Sequence, residues 1–225
     1  MEKVINIAID GPAGAGKSTI ARRLAKDLGF TYVDTGAMYR ALAWYFIQQK
    51  ISLTDEVAVE EALGDITVSI GHEGGEQHIF LNGTDVSREI RREEVGNAAS
   101  ATSGFGAVRR KLLSLQRDLA RSQNCIMDGR DIGSFVLPDA QVKIYLTASV
   151  ETRAKRRYDE LKEKGQEADP EKIGEDIRTR DMQDMNRSIA PLIQAEDAVL
   201  LDSSDLTIEE VLNRIREIAR EKGAL

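Results

Sequence analysis

Apolar and polar positions change their period several times along this chain, and each change marks an element. Val4 to Ile9 is a short, largely β-branched apolar run, as expected of a strand covered on both faces. Behind it, Ile20, Leu24 and Leu28 recur at helical spacing, with Gly29 as a C-terminal stop. Phe30 to Val33 reads as a second strand, followed by a helix with Leu42, Tyr45 and Phe46 on its inner side. From Ile66 to Ser87 the period falls to two. Ile66, Val68 and Ile70 alternate with polar residues, and His78 to Leu81 runs into Asn82-Gly83, a strong hairpin signal. A small antiparallel insert is predicted there.

Helical spacing returns afterwards. Arg88 to Thr102 is polar and predicted helical, and Val108, Leu112, Leu115 and Leu119 mark the next helix. Cys125-Ile126-Met127 is a buried strand ending at Asp128, and Val142 to Leu146 is another. Glu151 to Arg187 is charged and holds two predicted helices, the second opened by Asp169-Pro170. Ala198 to Leu201 makes a last strand. Thr207 and Glu210 form a capping box for a terminal helix lined by Ile208, Val211, Leu212, Ile215 and Ile218. Strands alternating with helices imply an α/β fold with a parallel sheet and helices on both faces.

The chain has 225 residues, 41% hydrophobic and 31% charged, enough for one domain with a substantial core. The single cysteine, Cys125, excludes an internal disulfide and argues for a reducing, cytoplasmic setting. No signal peptide or membrane span is expected. A net charge of −7 disfavours nucleic acid as a partner, so cations for a polyanionic ligand have to be gathered locally. His72 and His78, the only histidines, lack zinc partners in sequence and are expected on the surface of the hairpin.

The strongest chemical signal is Gly11-Pro12-Ala13-Gly14-Ala15-Gly16-Lys17-Ser18-Thr19, set between the first strand and the first helix. It fits G-x-x-x-x-G-K-[ST], the phosphate-binding P-loop, in the required strand–loop–helix context. Its glycines let backbone N–H groups turn toward phosphate oxygens, and the following helix aims its dipole at the same anion. Lys17 is expected on the terminal phosphates, and the Ser18 hydroxyl on Mg²⁺. Asp128, an acid ending an apolar strand, is the second expected Mg²⁺ residue.

Two arginine sets follow. Arg153, Arg156 and Arg157 share one helical face, as do Arg180, Asp184 and Arg187. A transferring phosphoryl group calls for such fixed planar cations. Thr35, Arg40, Ser100, Arg109 and Asp131 are isolated polar residues that spacing alone leaves as ordinary surface.

The segments IDGPAGAGKST, VDTGAMYRALA, GTDVSREIRREEVGNAAS, DGRDIGSFVLPDA and RDMQDMNRSIAPL together make the chain resemble the bacterial cytidylate kinases, within the nucleoside monophosphate kinases. The likeness runs over essentially the whole length, and its DGRD and EVGNAAS segments are specific to these kinases. It implies a five-stranded parallel core with two mobile parts. One is a nucleoside-monophosphate-binding region at about 35–110, enlarged by the hairpin at 66–87; the other is a lid at about 150–187. It implies Mg-assisted, in-line transfer from ATP to CMP or dCMP by a monomer.

The same resemblance implies roles. Thr35, Ser100, Arg109 and Asp131 surround cytidine, Thr35 standing where many relatives have serine. Arg40, Arg130 and Arg187 hold the acceptor phosphate, and Arg180 and Asp184 reach the ribose. Arg153 and Arg157 act from the lid on the donor. With Lys17, the arginines Arg130, Arg153, Arg157 and Arg187 form the expected catalytic set. Rival readings are a kinase of UMP or another small monophosphate, a GTP-binding switch, and a non-catalytic ATP module. The switch needs a guanine-reading N/T-K-x-D, which the chain lacks.

Overall fold

In the computed structural model, which describes residues 4–73 and 76–225, the apolar runs assemble into one parallel sheet. Its strands are β1 (Asn6–Asp10), β2 (Thr31–Asp34), β6 (Cys125–Gly129), β7 (Val142–Thr147) and β8 (Val199–Asp202). Their order is β2-β6-β1-β7-β8, so β1 lies at the centre. Alternate side chains of β1 face opposite ways, and both ways are apolar. Ile7 and Ile9 pack with Leu24 of α1 (Lys17–Leu28) and Leu212 and Ile215 of α8 (Ile208–Glu221). Ala8 faces the other core, with Leu42 and Phe46 of α2 (Thr35–Gln48) and Leu112 of α5 (Gly106–Ser122). Helices therefore cover both faces, as predicted.

The antiparallel insert has three strands, β3 (Val68–Glu73), β4 (Glu76–Leu81) and β5 (Thr84–Asp85). Asn82 and Gly83, with φ of 49° and 81°, make the two-residue turn from β4 to β5. The connection at Gly74-Gly75 lies outside the described residues. The insert sits against β2, an edge strand of the large sheet. His72 Nε2 donates to the Tyr32 carbonyl at 3.0 Å. The Gln77 amide accepts from Asp34 N at 2.8 Å and donates to the Asp34 carbonyl at 3.3 Å. His78 meets Asp85 at 2.8 Å. Side chains of the insert thus supply hydrogen bonds that a neighbouring strand would otherwise give the edge.

The polar stretch after the insert is divided. Glu89–Arg91 is a 3₁₀ turn anchored by buried Ile90, Arg92 is extended, and α4 runs Glu93–Thr102. Sequence periodicity misses α3 (Glu56–Ala62), a short helix held by the Asp55 carboxylate on Ala58 N at 3.1 Å and by buried Val59. The charged stretch forms α6 (Val150–Glu163) and α7 (Pro170–Met185), the latter capped by Asp169. Thr207 and Glu210 make the reciprocal capping box of α8.

Candidate active site

Parallel pairing brings the carboxyl ends of β2, β6 and β1 to one edge of the sheet. Register sets Asp34 opposite Asp128 and Asp10 opposite Gly129. The P-loop leaves that edge directly after Asp10. Gly11 has φ of 146°, and a Cβ there would lie 1.9 Å from the Leu146 carbonyl oxygen, so only glycine fits. Gly14 and Gly16 are also left-handed, at 77° and 87°. Pro12 O accepts from Ala15 N at 3.5 Å and from Lys17 Nζ at 2.8 Å. Lys17 is buried, Ser18 half-buried, and Thr19 and Gly14 are exposed, while Ala13 is half-buried and Ala15 buried.

Ser18 Oγ donates to Asp128 Oδ2 at 2.7 Å, and Tyr32 donates to Asp128 Oδ1 at 3.1 Å. Burial, and then the neighbouring Asp34 carboxylate, push the Asp128 carboxyl up to about 6. Burial, and then Arg130, bring the Lys17 ammonium down to about 7, against the attraction of Asp128 and Asp10. Asp10 is pushed up to about 7 by burial, although its carboxylate accepts from Ile132 N and Gly133 N, each at 2.7 Å.

The chain turns at Arg130 and Asp131 and enters a single π turn, Ile132–Val136. Asp131 and Arg109 form an ion pair, both side chains buried. Arg109 also donates to the Ser103 carbonyl at 3.3 Å and lies 5.8 Å from the Tyr39 ring and 5.5 Å from the Phe135 ring. Its Nε is buried and has no hydrogen-bond partner among the described residues. Burial raises the Asp131 carboxyl and outweighs the lowering by Arg109. Thr35, buried at the start of α2, donates through Oγ1 to the Asp128 carbonyl at 2.8 Å. Ser100 is half-buried on α4, its carbonyl accepting from Ser103 Oγ at 3.0 Å.

Beside this pair is a concentration of arginines. Arg130 Nε donates to Asp184 Oδ2 at 2.7 Å, and Arg187 bonds the other oxygen of the same carboxylate. Burial, then Asp184 and Arg130, act on Arg187, with a lowered guanidinium as the net result. Arg180 is lowered too, by burial and by Arg130. Arg40 donates to Asp34 Oδ2 at 3.1 Å, and its Nε is buried and has no hydrogen-bond partner among the described residues. Asp34 also caps α2 through Ala37 N at 2.8 Å and attracts Arg91 at 3.6 Å.

From α6, Arg153 reaches the P-loop: it donates to the Ala13 carbonyl at 3.0 Å and the Ala148 carbonyl at 2.9 Å, and pairs with Asp181 at 2.7 Å. Arg156 turns to the Ser203 carbonyl at 2.7 Å. Arg157, one turn beyond Arg153, pairs with Glu160 at 2.9 Å and is not brought to the P-loop. Sequence reasoning left out Asp10, Tyr32, Asp34 and Asp181. Asp34 carried the signal used for Asp128, an acid ending an apolar strand; the others depend on register.

The arrangement sets two groups of donors side by side, one of backbone amides with Lys17, the other of arginines, and each has the chemistry to hold a phosphate. Among the described residues no group of three or more His, Cys, Asp or Glu is placed to hold a metal ion. The Ser18 hydroxyl and Asp128 carboxylate, already in contact beside Asp34, suit a Mg²⁺ whose other ligands are phosphate oxygens and water. Among the described residues no helix is long and apolar enough to cross a membrane.

The cytidylate kinase family model matches residues 7–221. The cytidylate kinase of Caldicellulosiruptor saccharolyticus is 50% identical over 216 residues, covering 96% of each chain. That of Halalkalibacterium halodurans is 46% identical over 220 residues, covering 98% of this chain and 99% of its own. That of Geobacillus sp. is 48% identical over 222 residues, covering 99% of both. Likeness of this extent, over the P-loop, the insert and helices α6 and α7 together, shows that the chain belongs to the cytidylate kinase family.

Proposed function

We propose that this protein transfers the terminal phosphoryl group of ATP to CMP or dCMP, releasing ADP and CDP or dCDP. An acceptor-phosphate oxygen attacks the terminal phosphorus as the bond to the ADP oxygen breaks. The acceptor is already a nucleophile at neutral pH, so the protein has to align the groups and neutralise charge. Lys17 and the P-loop amides hold the donor phosphates. Arg40, Arg130 and Arg187 hold the acceptor phosphate, Arg180 and Asp184 reach the ribose, and Thr35, Ser100, Arg109 and Asp131 surround the base. Ser18 and Asp128 would hold Mg²⁺, which supplies charge stabilisation at the phosphates when bound.

The region at about 35–110 is the monophosphate-binding part and about 150–187 the lid, whose closure excludes water and prevents hydrolysis of ATP. Arg153 and Arg157 act on the donor from that lid, Arg157 only after movement of α6. One chain carries every residue assigned here, and we take the enzyme to work as a monomer in the cytoplasm.

The observation that carries the choice of base is the buried Arg109–Asp131 pair between Tyr39 and Phe135. Cytosine presents an amino donor beside ring acceptors, which suits a carboxylate next to a guanidinium. Uracil sets a carbonyl against the carboxylate and an N–H against the guanidinium, so it is repelled as well as less well bonded. A coupled assay with CMP, dCMP, UMP and AMP tests this. Asp131→Ala and Arg109→Met should each lower kcat/KM for CMP by ~1–3 kcal/mol, and for UMP much less. Equal losses on CMP and UMP would place the base reader elsewhere.

A further inference from the structure

The turn that carries Asp131 opens with amides that lack carbonyl partners, as every helical turn does. An aspartate just before such a turn ordinarily satisfies them with its own side chain. Asp131 occupies that position, yet its carboxylate makes no such bond. It pairs instead with Arg109. The amides are satisfied from a different strand: Asp10 Oδ1 accepts from Ile132 N and Oδ2 from Gly133 N, both at 2.7 Å, with Asp10 itself buried.

We infer that Asp10 is a positioning residue for base selection, whose two carboxylate oxygens take over the capping of the 132–136 turn and so release the Asp131 side chain toward Arg109 and the base. The inference rests on the base-reading role proposed above for Asp131. Three features of the fold support it. Asp10 ends the central strand β1 and lies in register with Gly129 of β6, so its side chain is fixed by the sheet at the level of the turn. Both of its oxygens are used, which fixes the turn in rotation as well as in position. Gly133 admits the approach: a Cβ there would stand 3.1 Å from Lys143 Cδ and 3.4 Å from Asp10 Oδ2.

Without the Asp10 acceptors, the nearest replacement cap is the carboxylate of Asp131. Taking that place withdraws it from Arg109, and the site loses its acceptor for the cytosine amino group. Asp10 touches neither substrate in this scheme. Its attraction for Lys17 bears equally on every acceptor, so its effect on base choice runs through Asp131.

The test is the ratio of kcat/KM for CMP to that for UMP, in Asp10→Asn, Asp131→Ala and the double variant. Asp10→Asn is isosteric but sets an NH₂ against one of the two amides. Asp10→Ser keeps one acceptor on a shorter arm and is assayed in parallel, at 10 °C if needed, so that either variant alone decides. The expected result is a fall of about tenfold in the ratio for each single variant, with no further fall in the double variant. An unchanged ratio in the folded Asp10 variants, while Asp131→Ala collapses it, overturns the inference and leaves the base reading standing. An unchanged ratio in Asp131→Ala removes the base reading and the inference with it. A merely structural Asp10 lowers the melting temperature and scales both substrates equally, which also overturns it.

Discussion

Replacing Lys17 by methionine should make the protein more stable at pH 7 and almost inactive. Lys17 is buried beside Arg130, and its ammonium is held near 7 where a free lysine has 10.5. Burial and Arg130 therefore outweigh the attraction of Asp128 and Asp10. At pH 7 the unfolded chain carries this proton fully and the folded chain only about half of it. The folded state is disfavoured by about 4 kcal/mol, at ~1.4 kcal/mol for each tenfold. Methionine forfeits the 2.8 Å bond to the Pro12 carbonyl, worth ~1 kcal/mol, and fits the same space imperfectly. Asp128 and Asp10 also lose the cation that lowers them, so the net gain is on the order of 1 kcal/mol. The pH dependence has a defined direction. Because the folded value lies below the unfolded one, wild-type stability is lost as pH falls from about 10.5 toward 7. Relative to wild type, Lys17→Met should be less stable by about 3 kcal/mol at pH 10.5, gain through pH 9 and 8, and level off below 7. Urea unfolding of both proteins across that range measures it. A variant less stable than wild type at pH 7, or a difference that does not change with pH, refutes the reasoning. The variant's kcat should fall at least ~10²-fold, since the cation acts on charge developing in the transition state. A preserved kcat with raised KM would make Lys17 a binder of ground-state ATP only.

Gly11→Ala sets a methyl 1.9 Å from the Leu146 carbonyl at a φ of 146°, so the loop must leave its place between β1 and β7. A melting temperature lowered by the equivalent of ~2–4 kcal/mol and loss of ATP binding are expected; wild-type affinity measured with a fluorescent ATP analogue would contradict this. Asp184→Asn leaves Arg130 and Arg187 without their shared carboxylate, for a loss of about 2–4 kcal/mol in low-salt urea unfolding. Sulfate should restore part of it by taking the acceptor-phosphate position, and a loss insensitive to sulfate would show that the arginines do not converge.

How much of this site is legible in the sequence follows from how each part is held. The P-loop pattern spans eight consecutive residues, Gly11 to Ser18, and its local backbone with the Lys17 and Ser18 side chains makes its chemistry, so the pattern suffices. Strands β1, β2, β6, β7 and β8 are legible because parallel strands are apolar on both faces. Arg109 and Asp131 are 22 residues apart, and Arg130 and Asp184 are 54 apart; spacing leaves the first two as ordinary surface and ties Asp184 only to its own helix, and only likeness to known kinases joins them. Helical spacing groups Arg153 with Arg157, yet one turn, ~5 Å along α6, puts the first on the Ala13 carbonyl and leaves the second with Glu160. Asp10 and Asp34 are overlooked for a different reason. Each ends a short strand, where an acid is unremarkable, and only the order β2-β6-β1 sets them beside Asp128.

That order also explains why the free site is electrostatically unbalanced. Burial and then Asp34 raise Asp128, burial and then Arg130 lower Lys17, and burial with Arg130 lowers Arg187 against the opposing pull of Asp184. Acids gather at the ends of β2, β6 and β1, and arginines on the side facing α7. Part of this charge is already paired, Arg40 and Arg91 with Asp34 and Arg130 and Arg187 with Asp184, while the cation acting on Asp128 and Asp10 is the buried Lys17. Under the function proposed above, a cation at Asp128 and phosphates at Lys17 and the arginines would offset both sets of charge. Urea unfolding of Lys17→Met across pH reports how far burial and Arg130 outweigh Asp128 and Asp10 at that position.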